Sequence, residues 1–300
     1  MIMRKKILVT GANGQLGMEL QQLAPGNPGF DFVFTTRDQL PLNDLNAISR
    51  FISEHNPQYC INCAAYTAVD KAESEKDLAY RVNAEAPGVM ANACKENHIH
   101  FIHVSTDYVF NGNGTSPYKE DDQTDPVNLY GASKLDGEKL VMENDPNSII
   151  IRTAWVYSEF GKNFVKTMLR LMTDKEQISV VSDQYGTPTY AADLAEAIMK
   201  IISTFENHTS TSPLTTHNGI YHFSNEGQIS WYDFAVAIKD IIGSSCKVNP
   251  ITTPEYPTPA KRPAYSVLDK TRIRDTFNVP IKDWKASLAV CLEKIKNATK

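Results

Sequence analysis

The chain has 300 residues, of which 42% are hydrophobic and 22% charged, proportions typical of a globular protein with a sizeable core. Its 30 basic and 35 acidic side chains give a formal net charge of −5, which argues against a nucleic-acid-binding protein, because that class carries a basic surplus. No apolar run approaches the roughly 20 residues that cross a bilayer, and the N-terminus lacks a signal-peptide core. We therefore expect a cytoplasmic protein with no nucleic-acid or membrane partner.

Short apolar segments alternate with amphipathic segments in the first half of the chain. The predicted strands are 6–10, 30–36, 59–64, 99–105 and 148–153, and the predicted helices are 15–23, 43–55, 78–97 and 130–143. Apolar strands that alternate with helices indicate a parallel sheet covered on both faces, which is the α/β class.

The second half is less regular and predicts a smaller α+β lobe. Its predicted helices are 164–172, 192–204, 230–242 and 282–297, its predicted strand is 178–182, and 207–218 is predicted as an exposed loop. Ser230 and Asp233 have capping-box spacing at the start of the third of these helices. We divide the chain into a cofactor domain, 1–156 with 187–205, and a substrate lobe, 157–186 and 206–300.

The five cysteines are an odd and scattered set, so they do not indicate a disulfide framework; they are Cys60, Cys63, Cys94, Cys246 and Cys291. Cys60 and Cys63 have the spacing of a redox or metal motif. They fall in a predicted buried strand, however, where positions three apart point to opposite faces. No second Cys or His pair stands nearby at zinc spacing, so we expect structural cysteines.

A glycine cluster, Gly11-Ala-Asn-Gly14-Gln-Leu-Gly17, ends the first predicted strand and opens the first predicted helix. Glycines permit a tight turn and a close approach of backbone to a diphosphate, and the helix N-terminus supplies amide donors. The spacing departs from the usual G-x-G-x-x-G. Its strand–helix context nevertheless predicts a dinucleotide site rather than a merely structural turn.

The second predicted strand leads into Arg37-Asp38. At this place an acidic residue binds the ribose hydroxyls of NAD, whereas an arginine accommodates the 2′-phosphate of NADP. Arg37 therefore favours NADPH, and the adjacent Asp38 leaves NADH as the alternative. The alternative interpretation of Arg37 is a solvated surface charge.

Tyr130 and Lys134 stand four residues apart in a predicted helix and so share one face. A nearby ammonium favours the phenolate, which predicts a lowered tyrosine pKa and proton exchange near neutral pH. Thr106 ends a predicted buried strand, and ligands of parallel sheets bind outside the carboxyl ends of the strands. We expect its hydroxyl to bond a substrate oxygen beside Tyr130.

These motifs together resemble the extended short-chain dehydrogenase/reductase superfamily. They are the glycine cluster, Asn62-Cys-Ala-Ala-Tyr-Thr67, Ser105-Thr-Asp-Tyr-Val-Phe110 and Tyr130-x-x-x-Lys134. Within it the chain resembles the dTDP-4-dehydrorhamnose reductases, through further stretches at 67–73, 152–157, 163–164, 183–189 and 256–263. The resemblance implies a Rossmann-type doubly wound parallel sheet with a smaller α+β substrate lobe. It also implies NAD(P)H-dependent reduction of the C4 keto group of dTDP-4-dehydro-β-L-rhamnose.

The resemblance further implies a role for each site residue. Tyr130 donates a proton to the C4 oxygen, Lys134 lowers its pKa and binds nicotinamide ribose hydroxyls, and Thr106 polarises the carbonyl. Asn83 matches an asparagine that bends a helix and positions water. The other implied cofactor contacts are Gly11, Asn13, Gly14, Gln15, Leu16, Gly17, Arg37, Ala64, Ala65 and Tyr66. The other implied substrate contacts are Val69, Asp70, Asp107, Tyr108, Trp155 and Arg262, the last of them for the diphosphate.

Some relatives hold Mg²⁺ through glutamates at a dimer contact, and Glu19 matches one such position. Ala192 stands where we look for a second glutamate, so we predict no metal, and a homodimer stays open. Tyr108 and Trp155 have the alternative of plain core aromatics.

Two other functions remain to be weighed. The pocket for the nucleotide base cannot be read from the sequence, so a reductase of another nucleotide-linked 4-ketosugar is one alternative. A non-catalytic NADP-binding regulatory subunit, similar to the beta subunit of methionine adenosyltransferase, is the other. Thr106, Tyr130 and Lys134 favour the enzyme, because a regulatory subunit has no need of a tuned tyrosine.

Overall fold

The computed structural model describes residues 4–207 and 217–298, so most of the loop expected at 207–218 lies outside the described residues. In chain order the elements are β1 (Lys5–Thr10), α1 (Gln15–Leu23), β2 (Phe30–Thr35), α2 (Leu45–His55), β3 (Tyr59–Asn62), α3 (Val69–Ala72), α4 (Lys76–Tyr80), α5 (Ala86–Glu96), β4 (His100–Thr106), α6 (Leu129–Asn144), β5 (Ile149–Thr153), β6 (Val156–Tyr157), α7 (Phe164–Asp174), β7 (Gln177–Val181), β8 (Tyr185–Gly186), β9 (Thr189–Tyr190), α8 (Ala191–Asn207), β10 (Gly219–His222), β11 (Ile229–Ser230), α9 (Trp231–Ile242), β12 (Lys247–Ile251), α10 (Thr271–Phe277) and α11 (Trp284–Ala298).

Six parallel strands form the main sheet, in the order β10-β5-β4-β3-β1-β2. Apolar side chains of both sheet faces are buried, by α1 and α8 on one face and by α2, α5 and α6 on the other. The chain moves from β1 to β2 and then returns to β3 on the opposite side of β1. Such a reversal opens a crevice at the carboxyl ends of the strands, which confirms the predicted doubly wound fold.

A smaller lobe surrounds a second apolar core, to which α7, α9 and α11 contribute. Its strands are paired in twos, β7 with β12, β8 with β11, and β6 with β9. Ser230 and Asp233 form the predicted capping box at the start of α9, each side chain accepting a hydrogen bond from the other residue's backbone N–H. An aspartate is therefore long enough for this motif.

Residues 219–222 differ from the expected lobe boundary. They form β10, which pairs with β5 at the edge of the main sheet, although 206–300 was assigned to the substrate lobe. Ile273 and Phe277 of α10 also belong to the apolar core of the main sheet. The chain therefore returns to the first domain more than once, which periodicity cannot reveal because it says nothing about which elements are neighbours.

The helix predicted at 78–97 is interrupted. A π-helical turn, Arg81–Glu85, separates α4 from α5 and contains Asn83. Single π turns inside helices often mark functional sites. The turn here lies under the segment that follows β3, where it fixes one wall of the cleft described below.

The five cysteines are free, as expected. Cys60 is buried in β3, but Cys63 lies one residue beyond the strand and is half-buried, not inside the strand as predicted. Desolvation and the neighbouring Cys60 raise the pKa of its thiol above the ordinary value, which disfavours the reactive thiolate.

Among residues 4–207 and 217–298, no helix has the length and apolar character needed to cross a bilayer.

Candidate active site

A cleft of about 950 Å³ lies at the carboxyl ends of the main-sheet strands. That volume suits a small-molecule ligand. Sixteen of the nineteen predicted site residues line it, namely Gly11, Asn13, Gly14, Gln15, Leu16, Arg37, Ala64, Ala65, Tyr66, Val69, Thr106, Asp107, Tyr108, Tyr130, Lys134 and Trp155. Gly17, Asp70 and Arg262 are not lining residues.

The glycine cluster gives the cleft a backbone wall. Gly11 has a φ of +71°, and a Cβ there would lie 2.8 Å from the backbone nitrogen of Ala64. Gly17 lies beneath the loop, since a Cβ on it would stand 2.3 Å from the Gly11 carbonyl oxygen. Gly14 caps α1 without a side-chain hydrogen bond, which leaves the first amides of the helix free for an anion. This wall therefore fits a dinucleotide diphosphate.

Tyr130, on the first turn of α6, faces the ring of Tyr108 edge-on, with ring centres 5.5 Å apart. Burial raises the pKa of Tyr130 to about 12, although a hydrogen bond with Thr106 acts in the opposite direction. The expectation of a lowered pKa is therefore wrong for this structure. A raised value keeps the phenol protonated at neutral pH, which is the form that a proton donor needs.

Lys134 is buried one turn further along α6. Its ammonium nitrogen, Nζ, donates to the carbonyl oxygen of Val104 at 2.7 Å and lies 3.2 Å from His103 Nε2. Burial lowers the pKa of Lys134 to about 8, and the charge of Glu138 opposes that shift. The carbonyl at the end of β4 thus fixes the lysine on the cleft floor.

Thr106 ends β4 and connects the strand to the turn that follows. Its hydroxyl accepts the backbone N–H of Tyr108 at 3.2 Å and donates to Asp107 Oδ1 at 3.0 Å. The other carboxylate oxygen of Asp107 is buried without a hydrogen-bond partner among the described residues. Burial raises the pKa of Asp107 to about 6, against the opposing effects of Ser266 and Thr106, and the residue lines the cleft with one carboxylate oxygen unsatisfied.

Asn83 holds the segment of the cleft wall that contains Tyr66. Its side-chain oxygen accepts the N–H of Tyr66 at 2.8 Å, and its amide nitrogen donates to the Tyr66 carbonyl at 3.0 Å and to Ser133 at 3.0 Å. The π turn thereby links the segment after β3 to α6. Gly137 permits the close packing, because a Cβ on it would stand 2.0 Å from the Asn83 carbonyl oxygen.

Asp70 and Arg262 meet beside the cleft mouth. Arg262 Nη2 donates to Asp70 Oδ2 at 2.9 Å, and Asp70 Oδ1 accepts the N–H of Ala260 at 3.2 Å. Both residues were expected to contact substrate, and the structure pairs them instead across two distant parts of the chain. Val69 and Lys71, on either side of Asp70, do line the cleft.

Trp155 lies against the smaller lobe with a φ of +47°. Its ring stacks on Trp231 at 3.5 Å between centres, and Gly186 leaves room for it, since a Cβ there would lie 2.6 Å from the indole. A bulky residue in the left-handed region is rare, and such strain clusters at ligand sites. Trp155 is thus a cleft wall rather than an ordinary core aromatic.

Comparison with known proteins agrees with this geometry. Residues 4–297 match the family model described as RmlD substrate binding domain. The chain belongs to this family. A relative from Aggregatibacter actinomycetemcomitans named dTDP-4-dehydrorhamnose reductase is 41% identical, over 94% of this chain and 97% of its own. A Clostridium acetobutylicum dTDP-4-dehydrorhamnose reductase structure has a TM-score of 0.90 at 41% identity, covering 97% and 99% of the two chains. The Bacillus anthracis enzyme, solved with NADP, has a TM-score of 0.89 at 39% identity, covering 97% and 100%.

Within residues 4–207 and 217–298, no group of three or more His, Cys, Asp or Glu side chains is placed to hold a metal ion. Glu19 is a buried residue of α1, and its Oε1 accepts the Ser158 hydroxyl at 2.7 Å. Glu159 adjoins it and lies 3.1 Å from the ammonium of Lys294.

Several lining residues of this family member were not anticipated. The cleft also meets Thr36, Leu40, Leu42, Asn43, Cys63, Thr67, Ala68, Lys71, Glu75, Leu78, Val82, Val104, Ser105, Thr153, Val156, Gly161, Lys162 and Leu194. For most of these the sequence carries no signal, because ordinary apolar residues line a cleft only through the tertiary fold. Thr36, next to Arg37 at the end of β2, is the one that the sequence could have indicated, because ligands of parallel sheets bind at the carboxyl ends of the strands.

Proposed function

We propose that this protein is an NADPH-dependent reductase of the C4 keto group of dTDP-4-dehydro-β-L-rhamnose, acting in the cytoplasm. The observation that carries the proposal is that Tyr130, Thr106 and Lys134 line one dinucleotide-sized cleft, where the raised pKa of Tyr130 favours the protonated phenol. The family's reductases at about 40% identity support the substrate. They also favour the enzyme over a regulatory subunit.

The cofactor preference rests on the end of β2. Arg37 lines the cleft, while the neighbouring Asp38 is not among its lining residues. An arginine here suits the 2′-phosphate, and the relative solved with NADP supports the same choice. NADH remains the weaker alternative, because a nearby acid can bind ribose hydroxyls.

When bound, the dinucleotide supplies the hydride for the sugar C4 carbon. The residues of the chain do the rest. Thr106 and Tyr130 direct hydroxyl hydrogens at the C4 oxygen and so stabilise the negative charge that develops on it. Tyr130 then gives up its proton to that oxygen, for which its raised pKa keeps it loaded at neutral pH.

The substrate nucleotide is proposed to lie between the two lobes. Asp107, with an unsatisfied buried carboxylate oxygen, is placed to accept a sugar hydroxyl. Arg262 suits a diphosphate because its planar guanidinium can bond two oxygens at once, and it enters the site by exchanging Asp70 for the substrate. The smaller lobe thereby acts as the substrate lobe. Strand β10 and helix α10 are excluded from it, because they pack with the main sheet.

The test is NADPH oxidation with dTDP-4-dehydro-β-L-rhamnose, using the wild-type protein and Tyr130→Phe. We expect the variant to lose about 10²- to 10⁴-fold in kcat, because it keeps the ring and removes the proton. Tyr157→Phe is the matched control, since the Tyr157 hydroxyl is buried without a partner among the described residues and lies outside the cleft. Equal turnover by Tyr130→Phe contradicts the proposal. Parallel assays with UDP- and GDP-linked 4-ketosugars, and with NADH, decide between the remaining alternatives.

A further inference from the structure

Residues 156–163 form a crossing segment that leads from the main sheet to α7 of the smaller lobe. Near the end of this crossing segment, Gly161 and Lys162 line the same cleft as the glycine cluster. Gln15 and Glu19 stand four residues apart in α1 and so share one face, and both side chains bond the crossing segment. The mechanism above uses neither contact.

Both polar atoms of the Gln15 side chain bond the crossing segment. Its Nε2 donates to the carbonyl oxygen of Val156 at 3.2 Å, and its Oε1 accepts a hydrogen from Asn163 Nδ2 at 2.8 Å. Gly161 lets the backbone pass close by, since it has a φ of +65° and a Cβ on it would lie 3.1 Å from Gln15 Cγ. The side chain of Gln15 thus holds the segment, while its backbone N–H, at the first turn of α1, is available to an anion.

Asn163 joins α1 to the first turn of α7. Its Oδ1 caps α7 by accepting the N–H of Lys166 at 3.0 Å, which fixes the orientation of the amide. The NH₂ group therefore points at Gln15, and also at the carbonyl oxygens of Ser158 at 2.7 Å and Phe160 at 3.2 Å. One half-buried side chain closes the turn of the crossing segment and ties it to a residue 148 positions earlier.

A second contact between α1 and the crossing segment lies deeper. Ser158 Oγ donates to Glu19 Oε1 at 2.7 Å and accepts the N–H of Phe160 at 3.0 Å. Ser158 and Glu19 are buried, whereas Gln15 and Asn163 are half-buried and Gln15 lines the cleft. The Gln15–Asn163 bond is therefore the contact at the cleft edge, where a ligand depends on it.

We propose that Asn163 is a positioning residue for dinucleotide binding, which holds the crossing segment against the N-terminus of α1 through Gln15. The consequence for the ligand rests on the proposed function. A diphosphate bound at the glycine cluster meets a cleft wall already in place, with Lys162 as a cation in the same lining. Because the wall is ordered beforehand, binding loses less conformational entropy.

The experiment measures the Kd of the full chain for NADPH by fluorescence titration, without the sugar substrate. In Asn163→Ser the cap of α7 is kept, because serine caps helices as well as asparagine does, but the shorter side chain cannot reach Gln15. We expect the Kd to rise about three- to tenfold, the effect of losing one uncharged hydrogen bond. Gln15→Met removes the same bond from the other side, keeps the backbone N–H and should raise the Kd similarly.

The double variant Gln15→Met/Asn163→Ser separates a shared contact from two independent structural roles. It should bind NADPH no more weakly than Gln15→Met alone, because the effects of two partners in one contact are not additive. Losses that add in the double variant overturn the proposal, as does an unchanged Kd in Asn163→Ser. If Asn163→Ser does not fold, Gln15→Met decides, since it leaves the cap of α7 intact.

Asn27→Ser is the matched control. It removes an amide hydrogen bond at the other end of α1, from Asn27 Nδ2 to the carbonyl oxygen of Leu23 at 2.8 Å, and Asn27 lies outside the cleft lining. Its Kd for NADPH should equal that of the wild type. In steady-state kinetics, Asn163→Ser should raise KM for NADPH more than it lowers kcat, because Tyr130 and Thr106 belong to α6 and β4.

Amide hydrogen exchange without ligand distinguishes a failure of this inference from a failure of the proposed function. Exchange in residues 158–163 should be faster in Asn163→Ser than in the wild type and unchanged in Asn27→Ser. Unchanged exchange in Asn163→Ser overturns the inference, whatever the ligand. A wild-type protein that binds no NADPH would refute the proposed cofactor, and the exchange rates would still decide whether Asn163 holds the crossing segment.

Discussion

Lys134 on the cleft floor and Arg262 at the cleft mouth are both cations of the proposed site, but the protein surrounds them differently. Lys134 is 1% exposed and bonds a backbone carbonyl and an imidazole. Arg262 is 20% exposed and is paired with the carboxylate of Asp70, itself 42% exposed. Desolvation therefore controls the charge on the floor, whereas pairing and salt control the mouth. The floor is suited to proton chemistry, and the mouth to exchanging one anion for another.

After Tyr130→Phe, the largest effect is expected from Thr106→Val, also on the cleft floor. The change keeps the shape of the side chain and removes the hydroxyl that we propose polarises the C4 carbonyl, so kcat should fall by about 10²- to 10³-fold with little change in KM. Steady-state kinetics with the dTDP-ketosugar measure it. Thr106→Ser keeps the hydroxyl and the bond to the Tyr108 N–H, and should retain most of kcat. A small loss in Thr106→Val would mean that Tyr130 alone supports the oxyanion.

Glu19 extends the comparison to a buried acid. Burial, followed by the Glu159 contact, raises the pKa of Glu19 to about 7, while Lys294 and the Ser158 hydroxyl oppose the shift. Between about pH 4.5 and pH 7 the folded chain thus binds more protons than the unfolded chain, and stability falls as the pH rises. Glu19→Gln should remove this loss and be about 2 kcal/mol more stable than wild type above that range, with no gain below it.

Urea unfolding at two pH values on either side of this range measures the Glu19 effect. Glu159→Gln is the opposing control, since Glu159 pairs with Lys294 and accepts the Tyr190 hydroxyl at 2.9 Å. It should destabilise the protein at neutral pH. Equal stability of wild type and Glu19→Gln at the higher pH would mean that solvent reaches Glu19.

At the mouth we expect a smaller effect, on binding rather than turnover. Arg262→Lys keeps the charge but cannot bond two diphosphate oxygens in one plane, so KM for the dTDP-sugar should rise about tenfold while kcat changes less. Initial rates over a range of substrate concentrations separate the two constants. An unchanged KM would place the diphosphate elsewhere, with Lys162 of the cleft lining as the next candidate cation.

The placement of Tyr130, Lys134 and the glycine cluster in the cleft could be predicted from the sequence, because these residues belong to local motifs. Tyr130 and Lys134 are one helical turn apart, and the glycines follow one strand, so spacing alone places them. The ion pair at the cleft mouth could not be predicted from spacing, because Asp70 and Arg262 stand 192 residues apart and no periodicity indicates that they are neighbours. The return of β10 to the main sheet could not be predicted for the same reason. The direction of the Tyr130 pKa shift depended on burial, which a motif does not contain.

The smallest effect is expected from Asp70→Asn, a variant that tests the role of the Asp70–Arg262 ion pair at the cleft mouth. If Asp70 only holds Arg262 until substrate arrives, the variant frees the arginine and lowers KM about two- to threefold at low salt, because exposed pairs contribute about 0.2–1 kcal/mol. The amide oxygen of the variant side chain can still accept the Ala260 N–H, so the loop should stay in place. Added salt should lower the wild-type KM relative to that of the variant, since it weakens the pair that competes with substrate. A raised KM would instead mean that Asp70 itself binds a sugar hydroxyl, and the mouth would then hold substrate through both members of the pair.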